Sequence, residues 1–296
     1  TSTNLQGLVQ TGTPTFTPKT IDVDGVQKTI SVQANSYKLV KDGVESESLP
    51  AYKVGTSEQI GTYTINPATG VVTFTPTDKT YTGAVAPVDV QATGSNGVKV
   101  QTTYTPSITP VTPTKEPSAT TDVQGKKQVS RIVLDTVETD TDKEKTVNFN
   151  KGSETGANGE RVNLNPDTLT LLNDAGAEVT SLTTNDGKYE LDKTNRTITF
   201  TPNKTFVGPA TPVKVQIKDA NGTKVETTYT PTVTDVTMTS VDKESSAPQG
   251  KTQTGTPTFT VSTPDVRITG YKLLNPTGNT PVEGNEIEVP DQGTYR

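Results

Sequence analysis

The 296-residue chain has no cysteine, no histidine, no tryptophan and a single methionine. Each absence removes a class of chemistry. Without cysteine there are no disulfides, no zinc–thiolate centre and no thiol nucleophile. Without histidine there is no Ser-His-Asp triad, no imidazole base and none of the usual transition-metal ligands. No apolar run approaches the roughly 20 residues that span a bilayer. The formal net charge is −6 with both signs well mixed. That is not the concentrated basic face that nucleic acid requires, and no charged tail stands out. No signal peptide opens the chain and Arg296 falls in mid-pattern, so we expect an excised piece of a longer protein.

Large apolar groups are scarce as well, with hydrophobic residues at 29% and aromatics at 5%. Threonine takes their place, at 60 residues. Threonine and valine are stiff at χ1 and suit a pleated, half-buried surface, so composition favours strands. A cysteine-free, threonine-rich, proline-punctuated and mildly acidic chain fits an extracellular bacterial protein whose fold does not rely on oxidation.

The chain repeats itself, and the repeat decides the domain reading. Gln-Gly-x-x-Gln recurs at 6–10, 124–128 and 249–253. Gly-x-Tyr recurs at 61–63, 187–189 and 293–295, and Thr-Tyr-Thr-Pro at 103–106 and 228–231. From Gly61 to Tyr104 is 43 residues and from Gly187 to Tyr229 is 42, so this half of the unit is locked in length. From the glutamine mark to the glycine mark is 55, 63 and 44 residues. That half accepts insertions and is expected to carry surface loops. The reading is two whole units, 1–112 and 113–236, and the opening of a third, 237–296. The third is expected not to fold, because it lacks counterparts of Phe74, Val90 and Tyr104.

Within the length-locked half the pattern is that of strands. Tyr63, Ile65, Val72 and Phe74 alternate with polar residues, as do Tyr189, Leu191, Ile198 and Phe200. Gly70 suits a left-handed turn position. Arg196 stands in its place in the second unit, which predicts a shift of that position to Asn195. Val213, Val215 and Ile217 alternate with Lys214, Gln216 and Lys218, one face apolar and one solvated. Asn96-Gly97 and Asn221-Gly222 predict two-residue hairpins with positive φ at both central residues. Pro106 and Pro231 are expected to stop the returning strand. The prolines from Pro106 to Pro117 predict a semi-rigid polyproline spacer. No stretch carries a helical period. The expected fold is all-β, with tandem immunoglobulin-like antiparallel β-sandwiches in an elongated rod.

Several linked motifs carry a resemblance over essentially the whole chain. They are Gly-Thr-Pro-Thr-Phe-Thr (12–17 and 255–260), Tyr-Lys-Leu-Leu-Asn-Pro-Thr-Gly (271–278), the run 61–76, the run 211–223, and Thr-Thr-Tyr-Thr-Pro-Thr-Val (227–233). Together they resemble the CshA-type fibril repeat of streptococcal, Gram-positive, cell-wall-anchored surface adhesins. The resemblance implies β-sandwich modules strung in an array between an adhesive region and a wall-sorting signal. It also implies that the adhesive region, not the repeats, binds host fibronectin and other bacteria. The second unit departs from the pattern, with Lys145–Asn150 as its nearest match to Gly-Thr-Pro-Thr-Phe-Thr and a polar insert at Asn150–Glu160.

Candidate sites are weak. Thirty-three acidic residues make a close carboxylate pair inevitable somewhere, but no tryptophan is present to stack a sugar. Asp140, Asp142 and Glu144, and the loop Asp22-Val23-Asp24-Gly25, fall short of a calcium loop. Lys214 and Lys218 face solvent by period and are poor donors for an isopeptide crosslink, and Lys28 and Lys126 have no assigned place. Tyr63, Tyr104, Tyr189 and Tyr229 recur with the repeat and read as core, each hydroxyl tied to backbone near a corner. The sequons at Asn195, Asn203 and Asn221 are chance in a threonine-rich chain.

The expectation is therefore a stalk module with no catalytic, metal or cofactor-binding residue and no cofactor. Its partners are the neighbouring repeats, with fibronectin or another matrix protein bound by another region. It has no contact with nucleic acid or membrane, and it forms a monomeric rod at the cell surface. The alternative is that the repeats themselves bind a matrix protein or a partner cell, through Asn150–Glu160 or an edge strand.

Overall fold

The computed structural model describes residues 1–135 and 145–296, and these are strands, turns and loops. The first unit holds β1 (Ser2–Leu5), β2 (Gln10–Gly12), β3 (Lys19–Val23), β4 (Val26–Ile30), β5 (Lys38–Lys41), β6 (Val44–Ser46), β7 (Ser48–Tyr52), β8 (Gln59–Ile65), β9 (Val72–Pro76), β10 (Val88–Thr93), β11 (Lys99–Tyr104) and β12 (Pro106–Thr109). One sheet runs β2-β9-β8-β7 and faces a second, β11-β10-β5-β6; β1 and β12 form a parallel pair, and β3–β4 a separate hairpin.

The second unit holds β13 (Thr114–Glu116), β14 (Ser118–Val123), β15 (Gln128–Leu134), β16 (Thr146–Asn150), β17 (Leu164–Leu172), β18 (Glu178–Val179), β19 (Ser181–Thr183), β20 (Gly187–Asp192), β21 (Thr197–Pro202), β22 (Gly208–Pro209), β23 (Val213–Asp219) and β24 (Lys224–Thr234). Its sheets run β13-β16-β15-β21-β20-β19 and β14-β24-β23-β17-β18, with β22 beside β24. Both units are β-sandwiches. Their pairings are antiparallel except β1–β12, β14–β24 and β15–β16. The remaining strands, β25 (Met238–Val241), β26 (Thr258–Val261), β27 (Ile287–Val289) and β28 (Gly293–Tyr295), form two hairpins. No residue beyond Val233 is buried.

Each sandwich is centred on the same aromatic triplet. Tyr63 lies 5.6 Å from Phe74 and 6.0 Å, edge to face, from Tyr104. Tyr189 lies 4.7 Å from Phe200 and 6.1 Å from Tyr229. The hydroxyls find partners, as buried phenols must. Tyr63 donates to the Ala86 carbonyl and Tyr189 to that of Thr211, both at 2.6 Å. Tyr104 and Tyr229 instead meet hydroxyls, Ser2 at 2.6 Å and Thr120 at 2.8 Å.

That contact explains the last glutamine of the Gln-Gly-x-x-Gln mark. Ser2 Oγ donates to Gln10 Oε1 at 2.9 Å, and Gln10 Nε2 donates to the Ser107 carbonyl at 3.1 Å. Thr120, Gln128 and the Thr232 carbonyl repeat the chain at 2.5 and 2.9 Å. Each glutamine is buried and fastens two parallel-paired strands together, β1 to β12 in the first unit and β14 to β24 in the second. Ser245 and Gln253 already form the matching bond in the third unit, at 2.9 Å.

The glycine of Gly-x-Tyr is equally constrained. A Cβ on Gly187 would lie 2.3 Å from the Thr201 carbonyl oxygen and 2.8 Å from the Phe200 ring, and Gly61 repeats this against Thr75 and Phe74 at 2.6 and 2.7 Å. Because the obstruction includes backbone, Gly187→Ala is expected to destabilise the second unit by about 1–3 kcal/mol or more. Thermal denaturation of the variant checks this, and an unchanged melting temperature would show that the β20–β21 backbone, and not only the Phe200 ring, gives way to the methyl group.

Four expectations need correction. First, the left-handed position stays on Arg196 itself (φ 51°) and does not shift to Asn195. Arg196 keeps that conformation because its carbonyl accepts Ile132 N–H at 2.8 Å and Asp192 Oδ1 caps Asn195 N–H at 2.9 Å. In the first unit glycine is required for a second reason, since a Cβ on Gly70 would meet the Tyr37 ring at 2.9 Å.

Second, the Asn-Gly hairpins have three-residue loops. Only Gly97 and Gly222 take positive φ there, and Gly94 N–H reaches Val98 O at 2.7 Å while Asp219 N–H reaches Thr223 O at 3.0 Å. This is a turn followed by a glycine bulge. Third, the returning strand of the first unit does end at Tyr104, ahead of Pro106, but in the second unit β24 runs on through Pro231 to Thr234. Val213↔Tyr229 is where β23 lets go of β24, and Pro231 follows as the strand changes neighbours to β22 and β14. Its carbonyl still accepts Ala210 N–H at 2.8 Å, so the missing donor costs no ladder bond to β23. Fourth, Gln216 is buried although it lies on the solvated side, because Glu226 of β24 covers it and accepts from its amide at 2.6 Å.

The inter-repeat junction as candidate functional site

The proline-bearing stretch between the units is far shorter than a polyproline spacer over Pro106–Pro117. Residues 106–109 belong to β12, and 114–116 to β13, which pairs with β16. Only 110–113 connect the units. Within them Val111 is buried with Leu5 and Val162, with Leu8 packed against them, in a cluster separate from both sandwich cores. The two units therefore touch.

Gln6 organises the contact. Its side chain is 1% exposed. Its Nε2 donates to the Thr80 carbonyl of its own unit at 2.8 Å and to Thr223 Oγ1 of the second unit at 3.3 Å. Its Oε1 accepts Val111 N–H of the connection at 3.2 Å, and its backbone carbonyl accepts Asn221 Nδ2 at 2.8 Å. Gly7 leaves room for this, since a Cβ there would lie 2.1 Å from Asn221 Oδ1. The Asn221 turn is in turn shaped by Asp219, whose Oδ1 accepts the N–H groups of Asn221 and Thr223 at 2.9 and 2.8 Å.

A second arm closes from the polar insert of the second unit. Ala157 N–H donates to Asn4 Oδ1 at 3.0 Å, and Glu154 Oε2 accepts Thr112 N–H at 3.2 Å. The Glu154 carboxyl is held below the usual range, first by its own backbone N–H and then by that of Thr112. A Cβ on Gly156 would lie 2.8 Å from Asn4 and 3.2 Å from Leu8, and one on Gly152 would lie 2.8 Å from Val111. Part of the insert that the sequence offered as a host-binding loop thus packs against the neighbouring unit and the connection, while Ser153, Thr155 and Asn158–Glu160 stay exposed.

Register fixes which ends meet. In the second unit the Asn221 turn opens β24, whereas the Gln124–Gly125 turn follows Val123, which pairs with Thr234 at the other end of that strand. β24 has 11 residues, about 35 Å at ~3.3 Å per residue. The head pole, bearing Asn221 and the insert, and the tail pole, bearing Gln-Gly, therefore lie at opposite ends of a unit. At the far junction an ion pair, Lys126–Asp265 at 3.1 Å, joins the second unit to the residues beyond it.

The weaker candidates are placed as follows. Asp140, Asp142 and Glu144 lie outside the described residues. Asp22 accepts Gly25 N–H at 2.8 Å and Gln27 Nε2 at 3.0 Å, so its carboxylate shapes the β3–β4 turn. Among the described residues no group of three or more acidic side chains is arranged to hold a metal. No described lysine is buried, which leaves Lys28, Lys126, Lys214 and Lys218 without the dry setting an isopeptide bond needs. The junction itself was missed by sequence reasoning. Its signal was present in the recurrence of Gln6 and Gly7 ahead of the core glutamine.

Three comparisons bear on identity. The sequence matches the family described as surface adhesin CshA repetitive domain over residues 1–108, 110–233 and 235–296. Among curated proteins none matches. Of solved structures, Drosophila N-cadherin EC1-4 is similar at 12% identity and a TM-score of 0.23, over 71% of this chain and 43% of that one. PcdhgB3 EC1-4 is similar at 10% identity and a TM-score of 0.19, over 71% of this chain and 49% of that one. The chain spans less than half of either structure, and likeness at such scores carries no weight for fold or function.

Proposed function

Because the chain belongs to the surface adhesin CshA repetitive domain family, we propose that it is a length of stalk, in which repeats joined end to end carry an adhesive tip outward from the cell. Membership makes it a repeat region of an extracellular, cell-surface adhesin. The finer reading is structural and non-catalytic, with the array anchored to a Gram-positive wall and fibronectin or another matrix protein bound by a different region.

The observation that carries this reading is the pair of poles. A unit whose two docking faces lie about 35 Å apart along one strand extends an array with each copy added. Short connections and a buried Gln6 at the joint keep reach from being lost to bending. Outward lysine–glutamate pairs such as Lys99–Glu45 at 2.5 Å and Lys218–Glu178 at 2.8 Å keep the sheet faces solvated and charged, which discourages lateral pairing.

Binding by the repeats themselves is the second reading, and part of its surface is engaged elsewhere, since Gly152, Glu154, Gly156 and Ala157 of the insert meet the junction while Asn158–Glu160 stay exposed. On immobilised fibronectin the 296-residue chain is therefore expected to show no saturable retention. Saturable binding that disappears when Asn150–Glu160 is deleted would reverse the assignment.

A further inference from the structure

The head pole that seats Gln6 on the second unit has a counterpart on the first, and among the described residues nothing covers it. Register establishes the equivalence. Val32 bridges to Gly94 as Leu164 pairs with Asp219, and Ser95 N–H donates to Ser31 O as Ala220 N–H does to Asn163 O, both at 2.8 Å. Asn96, Gly97 and Val98 thus stand where Asn221, Gly222 and Thr223 meet the neighbouring unit. The β3–β4 hairpin leaves the sandwich just before β5, as the 151–160 arm does just before β17. On the second unit these features are half covered. On the first, Val26 is 58% exposed, Val98 55% and Val100 54%. Between the hairpin and β10–β11 lies an open groove of about 360 Å³, lined among others by Phe16, Pro18, Ile30, Val32, Val98 and Val100.

We propose that this pole is the receptor for the tail pole of another repeat of the same kind joined ahead of it. The ligand is the Gln-Gly turn with its adjacent threonine and valine, the set that Gln6, Gly7, Thr80 and Val111 present to the second unit. The second unit's own tail pole carries the same set as Gln124, Gly125, Thr205 and Val236. The Asn96 amide takes the part of Asn221, donating to the backbone carbonyl of the incoming glutamine. The exposed valines and the groove take the apolar residues beside that turn, as Val162 takes Leu5 and Val111 at the existing joint. This deepens the stalk reading on which it rests, by making head-to-tail docking a property of the repeat and not of one pair.

The test supplies the missing neighbour. Residues 113–244 are placed directly ahead of Ser2, so that Ser2 follows Glu244 as Ser245 does. Amide hydrogen exchange is then compared with that of the 296-residue chain. Asn96, Gly97, Val98 and the hairpin tip at Asp24–Val26 are expected to exchange about 10-fold more slowly, or slower still, in the longer chain. Asn96→Asp keeps the side-chain acceptor that caps Val98 N–H (3.2 Å) and loses the amide donor. It is expected to abolish the protection and leave melting of both cores unchanged. Equal exchange in the two chains, or protection indifferent to Asn96→Asp, overturns the proposal. Either result leaves the stalk reading standing, because solution scattering of the two units present here tests that separately.

Discussion

Phe74→Ala should destabilise the first unit by about 3–5 kcal/mol, the usual cost of emptying a ring-sized space in a packed core. Phe74 is 1% exposed, and it packs at a tilt against Tyr63 and sits against Gly61, so neighbouring atoms have little freedom to collapse into the void. The first unit's core is also the smaller of the two. At about 4 °C per kcal/mol for a domain of this size, the first unit's transition should fall by roughly 12–20 °C. Calorimetry of the 296-residue chain would show that transition move ahead of the second unit's. Val100→Ala is the control, since Val100 is 54% exposed and its loss should cost no more than about 0.5 kcal/mol. An unchanged thermogram for Phe74→Ala would mean that the triplet does not hold the sandwich together.

Alkali should unfold this protein while moderate acid should not. Burial pushes the hydroxyls of Tyr63, Tyr104 and Tyr189 upward, and that of Tyr229 up to about 12. For an acid whose folded pKa is raised, the neutral form is the one the fold favours. The stabilisation is therefore complete below the unfolded value near 10, and it is lost as pH climbs from there through the folded value. For Tyr229 alone the rise from about 10 to about 12 is worth on the order of 3 kcal/mol. With neither histidine nor cysteine, no side chain has its ordinary titration between about pH 5.5 and 8. The melting temperature is expected to be flat from about pH 6 to 9 and to fall steeply above about pH 10. On the acid side the depressed carboxyls are mostly exposed, among them Glu178, whose largest cause is its bond to Lys218. Their contribution is present above the unfolded carboxyl pKa, fades as pH falls, and is small. Absorbance of tyrosinate against pH, read beside circular dichroism, checks the account. Ionisation of every tyrosine near pH 10 without loss of structure would contradict it.

The parts of this fold that follow from side-chain alternation were legible in the sequence. Tyr63, Phe74, Tyr189 and Phe200 could be placed in the core because period two admits one inward face, and the family resemblance rested on those same strands. The parts that depend on what a strand pairs with next were not legible. Pro231 reads as a terminator until β14 and β22 are seen to take over from β23. Arg196 reads as unfit for a left-handed turn until its carbonyl is seen to be held by Ile132. Gln216 reads as solvent-facing until Glu226 covers it. The junction was hidden for a related reason. Gln6, Asn221 and the insert are far apart in sequence, and each is unremarkable as a polar loop residue. Only the register of β14 and β24 sets Gln-Gly and Asn-Gly on opposite poles.

Small-angle X-ray scattering of residues 1–242 tests the central claim most directly, since neither core uses a residue beyond Val233. Two sandwiches docked pole to pole form a rod of roughly 80–100 Å, with a radius of gyration of about 26–30 Å and a two-lobed distance distribution. A value near 18 Å, that of a compact globule of this length, would mean that the units fold onto each other. A value near 54 Å, that of an unfolded chain, would mean that so little apolar surface does not hold the sandwiches together.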